Sequence, residues 1–231
     1  MALFTENYQE EMMHILKDMA HVRISGTKEE ADCAVYLQEC CKKMGFETRL
    51  EAFQVEMCDI HEAVLIVDGK EIPCRGYRCA GSGIVEAPFY YMPNTDACSL
   101  AQCKGKIVML DGGVGYWGYR DLIENGAVGI ITYDGNANYA IKLVNQNSAN
   151  AKIVLNQDEW MGDSHNVILD LPGETDEMIV LSAHYDSTPL SQGVYDNMSG
   201  SVGLLGIADY FRQHPHHYSL RFLWCGSEER G

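Results

Sequence analysis

Five side chains in the last quarter of this sequence are of types that can hold a metal and move a proton: His184, Asp186, Asp196, Glu228 and Glu229. His184 and Asp186 stand two apart just past the apolar run Ile179-Val180-Leu181, and residues two apart on a strand point the same way. An imidazole so placed suits a metal ion, and a carboxylate on its other ring nitrogen would fix the tautomer. Asp196 precedes a segment whose apolar positions Leu204, Ile207, Ala208 and Phe211 recur with the period of a helix. Glu228 and Glu229 follow a second apolar run, 220–225. A metal in such a cluster would acidify water and polarise a carbonyl, but a free carboxylate must still take the water's proton. Adjacent glutamates leaving a strand point in different directions, so one can ligate while the other stays free. Spacing alone does not say which. Four carboxylates beside one histidine also repel one another unless cations neutralise them.

Two strand ends and a helix start must converge to build this cluster, and open α/β sheets place their ligands at the carboxyl ends of strands. The pattern predicts strands over 46–55, 166–171, 178–183 and 220–225, the last two buried, in an α/β fold with a mixed sheet flanked by helices. A first helix carries Tyr8, Met12, Ile15, Leu16 and Met19 as one apolar stripe, which is core packing. A second starts with a capping box, Thr27 and Glu30, and stops at Lys42, Lys43 and Gly45. Between these parts, from 59 to 162, the composition changes to short strands punctuated by Gly, Pro, Asn and Asp. Asp68-Gly69 reads as the turn of a hairpin. Strand 106–110, a glycine-rich loop, a helix over 119–124 and strand 128–133 read as a β-α-β unit.

Three motifs in this order resemble the co-catalytic zinc exopeptidases, the family of bacterial aminopeptidases and of the glutamate carboxypeptidase II type. They are Ala183-His184-Tyr185-Asp186-Ser187 at a strand end, Tyr195-Asp196-Asn197-Met198-Ser199-Gly200 opening a helix, and Glu228-Glu229 after a strand. The resemblance implies that His184 ligates one zinc, Asp186 is its partner, Asp196 bridges two zinc ions, Glu228 is the general base and Glu229 ligates the other zinc. It also implies a further aspartate and histidine downstream of Gly231. The chain is therefore read as the amino-terminal part of a zinc exopeptidase acting on peptides, an aminopeptidase in kind, inactive by itself. The middle segment, including Gly105 to Gly113 and Arg120 to Asp134, resembles a protease-associated domain inserted at 59–162 between catalytic parts 1–58 and 163–231.

Other readings are weaker on physical grounds. Gly112-Gly113-Val114-Gly115 lacks the Lys-Ser/Thr of a phosphate loop and reads as a tight turn. Gly162-Asp163-Ser164-His165 reads as a connecting turn, and His214, His216 and His217 around Pro215 as a solvated one. A formal charge of −16 argues against nucleic acid and anionic membranes as partners. No apolar run has the length of a membrane span. Nine cysteines, an odd number at irregular spacing without a secretory start, read as thiols in a reducing cytoplasm. The competing function is a non-catalytic peptide or protein interaction module with a vestigial metal site, and nothing fixes the oligomeric state.

Overall fold

In the computed structural model, which describes residues 8–133 and 150–230, the chain forms two units, 1–57 with 161–231 and 58–160. The fold of the first unit is mixed α/β, as the apolar patterning predicts. Helix α1 (Tyr8–Asp18) buries Ile15 and lays Met12 and Leu16 against the core, and Met19 follows one residue past its end. The side chain of Tyr8, assigned to the same stripe, lies outside the described residues. Helix α2 (Lys28–Lys43) starts at Thr27, whose side chain accepts the Glu30 N–H, and buries Cys33, Ala34, Leu37, Cys40 and Cys41. The two helix patterns thus supply one face of a core before any strand is laid down.

Strand β1 (Arg49–Val67) is one continuous strand where the sequence suggests two. The division between the units falls within it, so no Pro- or Gly-rich linker marks the crossing. A hairpin then turns at Asp68 and Gly69, both with positive φ, into β2 (Lys70–Ile72). That is the geometry for which an Asp-Gly pair is suited. Strand β3 (Gly83–Met92) and the one-turn helix α3 (Ala97–Leu100), capped by Asp96, were not anticipated. Next come β4 (Ile107–Asp111), α4 (Tyr116–Glu124) and β5 (Gly129–Tyr133), with β4 and β5 parallel, as a β-α-β unit requires. Strand β4 is buried on both faces: Ile107 and Met109 join Leu65, Val67 and Ile72 on one side, while Val108 and Leu110 join Cys103, Leu122 and Ala127 on the other. Two cores on opposite sides of one strand explain its uninterrupted apolar run.

Strand β6 (Asn150–Leu171) returns the chain to the first unit without a break. The turn expected at Gly162–His165 is therefore wrong. A Cβ at position 162 would lie 2.8 Å from Met57 Cγ, so glycine serves close packing there, not chain reversal. In the first unit β1, β6, β8 (Tyr218–Cys225) and β7 (Thr175–His184) lie side by side, with β6 antiparallel and β7 parallel to β8. Helix α5 (Ser199–Gln213) packs Val202, Leu205 and Ala208 with Leu220, Phe222 and Trp224 of β8. Trp224 Nε1 donates to Ser201 O at 2.9 Å, which satisfies its one polar atom inside the core. Strand β7 corrects the expectation of a buried strand. Met178, Ile179 and Val180 are exposed, because among the described residues β7 pairs only with β8. Among the described residues no helix is long and apolar enough to cross a membrane.

Candidate metal centre

Parallel pairing sets His184 opposite Cys225, so β7 and β8 end at the same level of the sheet. Tyr185 N–H continues the pairing to Cys225 O at 3.0 Å, and Ser201 Oγ at the start of α5 donates to His184 O at 2.9 Å. These bonds fix the imidazole against strand, sheet neighbour and helix at once. The ring is nearly buried, at 8% exposure, while Asp196 and Glu228 are exposed.

The imidazole Nε2 lies 3.1 Å from Asp196 Oδ1 and 3.5 Å from Glu228 Oε2. Donor atoms of His184, Asp196 and Glu229 fall within 4.8 Å of one another. Nδ1 stands 3.3 Å from Asp186 Oδ1 but without the alignment of a hydrogen bond, so it is a buried polar atom with no bonded partner. All five residues singled out in the sequence thus meet at one place. One imidazole nitrogen and a pair of carboxylates make a donor set that suits zinc, and the unpaired Nδ1 beside Asp186 is the atom whose proton would leave Nε2 free to ligate. Although much of Glu229 is exposed, partial burial raises its carboxyl above the usual range; Asp196, Asp186 and Glu228 add to the rise and His184 opposes it. A bound cation would relieve that repulsion.

Asp186, wholly buried, is the junction of the site. Its Oδ1 accepts the Glu228 N–H and its Oδ2 the Glu229 N–H, each at 3.1 Å, and Oδ2 also accepts Ser25 Oγ–H at 3.1 Å. One carboxylate therefore ties His184 to both glutamates. The approach to Asp196 is held differently. Arg23, wholly buried, donates from Nε to Tyr185 O at 2.7 Å, from Nη1 to Met19, His21 and Gln192 carbonyls, and from Nη2 to Gly193 O at 3.2 Å. Gly193 has φ 56°, and a Cβ there would meet Ser187 Cβ at 2.7 Å and Asp196 O at 2.9 Å. The loop is wrapped too closely around the guanidinium for any side chain at 193. Asp196 and Asn197 then take non-helical angles, with a cis peptide between them, before Asn197 Oδ1 accepts the Gly200 N–H and α5 begins.

Arg23, Ser25 and Asn166 were not singled out in the sequence, Ser164 was read only as part of a turn, and Glu30 only as a helix cap. Arg23 and Ser25 reach the site across 162 and 161 residues of chain, Ser164 reaches Glu30 across 134 and Asn166 reaches Gly226 across 60, so no local spacing marks them. The histidines 214, 216 and 217 stay apart from the cluster. His217 Nδ1 pairs with Glu174 at 3.0 Å, and His214 and His216 bond nearby carbonyls at the surface. His214 and His216 line a shallow hollow of about 490 Å³ with Phe46, Pro172 and Phe211, and among the described residues none of the three histidines joins a metal-ligating group.

Residues 166–231 match peptidase family M28. Aminopeptidase YwaD of Bacillus subtilis is 24% identical over 240 residues, covering 90% of this chain and 52% of its own length. Among solved structures, the aminopeptidase from Aneurinibacillus sp. strain AM-1 superposes with a TM-score of 0.81 at 22% identity, over 96% of this chain and 63% of that one. A zinc aminopeptidase from Bacillus subtilis does so with a TM-score of 0.72 at 21% identity, over 95% of this chain and 62% of that one. The chain spans about half the length of the YwaD relative and under two thirds of either solved chain. The fold is thus that of the aminopeptidases, and the matched segment holds every residue of the cluster.

Proposed function

We propose that this chain, whose residues 166–231 match peptidase family M28, is part of a zinc-dependent exopeptidase of the aminopeptidase kind that hydrolyses terminal peptide bonds. The observation that carries the reading is the convergence of a His184 ring nitrogen with the Asp196 and Glu229 carboxylates within 4.8 Å. His184 and Glu229 would each hold a zinc ion, and Asp196 would bridge the two. Zinc, when bound, supplies Lewis acidity to the scissile carbonyl and to the attacking water.

The protein's own residues do the rest. Glu228 Oε2, 3.5 Å from His184 Nε2, is near enough to the ligands to take the water's proton and carry it to the leaving amine. Asp186, whose Oδ1 stands 3.3 Å from His184 Nδ1, would favour the tautomer with Nε2 free when a zinc ion is held, and through the Glu228 and Glu229 N–H groups it sets the angle at which base and ligand leave the strand. A site kept only as a relic would have no reason to keep these five side chains together at one place. This disfavours the interaction-module reading.

We read residues 59–162 as a protease-associated domain. Its own two cores and the parallel β4-α4-β5 unit support that reading. Cys33, Cys40 and Cys41 are buried thiols in the first unit, which fits the cytoplasmic setting in this proposal.

The test is calorimetric titration of zinc into the wild-type chain and into His184→Ala, followed by peptide hydrolysis in a protein containing this chain. The alanine variant should lose zinc binding. Glu228→Gln should keep zinc and lose ~100–10,000-fold in kcat. Hydrolysis that survived Glu228→Gln would remove Glu228 as the base.

A further inference from the structure

The turn that carries Glu228 and Glu229 is suspended from side chains. Gly226 N–H donates to Asn166 Oδ1 at 3.2 Å and Glu228 and Glu229 N–H donate to Asp186, while the Ser227 N–H between them lies near enough to the Glu30 carboxylate to favour its charged form. Three of these four successive backbone donors are thus taken by side-chain oxygens, and the fourth, on Ser227, faces Glu30. Ser227 sits at φ 63°, a conformation that a non-glycine residue holds only when its surroundings impose it.

Glu30 is the one acceptor in this set that belongs neither to the candidate cluster nor to the sheet beside it. It is 1% exposed, and no cation accompanies it among the described partners. Its Oε2 takes Gly26 N–H at 2.6 Å, and its Oε1 takes Ser164 Oγ–H at 2.7 Å. A Cβ at Gly226 would lie 2.8 Å from Glu30 Oε1 and 2.5 Å from Ser164 Oγ, so the turn passes directly over this carboxylate. A helix cap has no need of burial. Thr27 caps the first turn by accepting the Glu30 N–H, and of the two Glu30 oxygens only Oε2, on Gly26 N–H, serves the helix start.

We propose that Glu30 is a positioning residue for the metal centre: from the start of α2 its buried carboxylate holds Ser227 in the left-handed conformation that aims Glu228 and Glu229 into the site. The inference rests on the zinc reading above and adds to it a residue 198 positions away in the chain from Glu228. Removing the carboxylate frees the turn to relax toward ordinary φ, which would draw the two glutamates away from His184 and Asp196.

The test compares Glu30→Gln with Thr27→Ala, which weakens the same helix start without touching the turn. Zinc affinity is measured by calorimetry, the visible absorption of the cobalt-loaded chain reports ligand geometry, and Tm reports stability. Glu30→Gln should weaken zinc ~10–100-fold and alter the cobalt spectrum, the range seen when partners behind metal ligands are removed. Thr27→Ala should lower Tm and leave both metal readouts as in the wild type. If Glu30→Gln does not fold, Glu30→Asp keeps the charge at the helix start, shortens the reach to Ser227, and should show the same loss. Equal Tm losses in the two variants with unchanged zinc affinity and spectrum would make Glu30 a helix cap only and overturn the inference. Zinc binding that His184→Ala leaves intact would instead overturn the zinc reading itself, and this inference with it.

Discussion

A buried carboxylate with donors on both oxygens is hard to replace, and Asp186 shows why in terms of single atoms. Ser25 Oγ, Glu228 N–H and Glu229 N–H all donate to it, and His184 Nδ1 stands against Oδ1. An amide of the same shape has one acceptor oxygen, so in Asp186→Asn an NH2 group would face backbone N–H donors. We expect zinc affinity to fall ~10–100-fold, and the unsatisfied buried donors to cost ~1–3 kcal/mol. Ser25→Ala removes one bond and leaves no donor stranded, so its cost should be ~0.5–1.5 kcal/mol with a smaller change in zinc affinity. Calorimetry and denaturant unfolding check both. The partnership of His184 with Asp186 was legible from a spacing of two on a strand. The bonds from Glu228 and Glu229 were not, because they exist only once β8 has paired beside β7, across 42 and 43 residues of sequence. Glu30 was hidden for another reason. A local pattern, the capping box, already accounted for it.

At the scale of elements, the β6 to β8 register is pinned on the solvent face as firmly as in the core. Asp170 stands opposite Arg221 and accepts from its Nε at 2.6 Å and Nη2 at 2.9 Å, while Arg49 at the start of β1 adds Nη1 at 2.8 Å. Hydrogen bonds from Arg221 and then Arg49 hold the Asp170 carboxyl below its usual value of 3.8. A depressed carboxylate pKa contributes stability that is fully present above the unfolded value and lost as pH falls through the folded one. The pair is partly exposed, so solvent screening limits it to ~0.2–1 kcal/mol. The difference in unfolding free energy between wild type and Asp170→Asn should therefore be constant above about pH 5. It should shrink as the pH falls below 3.8. A gap unchanged at acid pH would mean the bridge adds nothing. The α1 stripe from Met12 to Met19 and the position of β4 were read correctly because local patterning determines them, whereas Ile207, placed on the apolar face of α5, is exposed. Strand β6 was misread because Gly162 and Ser164 look like turn residues, yet one serves contact with Met57 and the other a bond to Glu30. Strand β3 was overlooked because its pairing with 150–155 joins segments far apart in the chain.

For the molecule as a whole, the consequential feature is strand β7, which brings His184 to the site yet has a neighbour on only one side among the described residues. Met178, Ile179 and Val180 are 43%, 47% and 54% exposed, three consecutive apolar residues along a strand with unpaired backbone groups at its outer edge. Natural sheets guard such edges with charge, proline or a covering element. The edge has Asp176 and Glu177 at its start and no charge further along, up to His184. The sequence placed Ile179 to Leu181 inside, because an apolar run does not reveal whether one flank or both will be paired. We expect the isolated chain to self-associate as its concentration rises, measured by light scattering after size exclusion. Val180→Lys places a charge on the edge four residues from His184, far enough to leave the ligand in place, and should shift the chain toward monomer with zinc affinity unchanged. If the wild-type chain stays a monodisperse monomer with one cooperative unfolding transition, the edge is not adhesive. In that case the exposed side chains of β7 must be tolerated singly, as surface apolar residues commonly are.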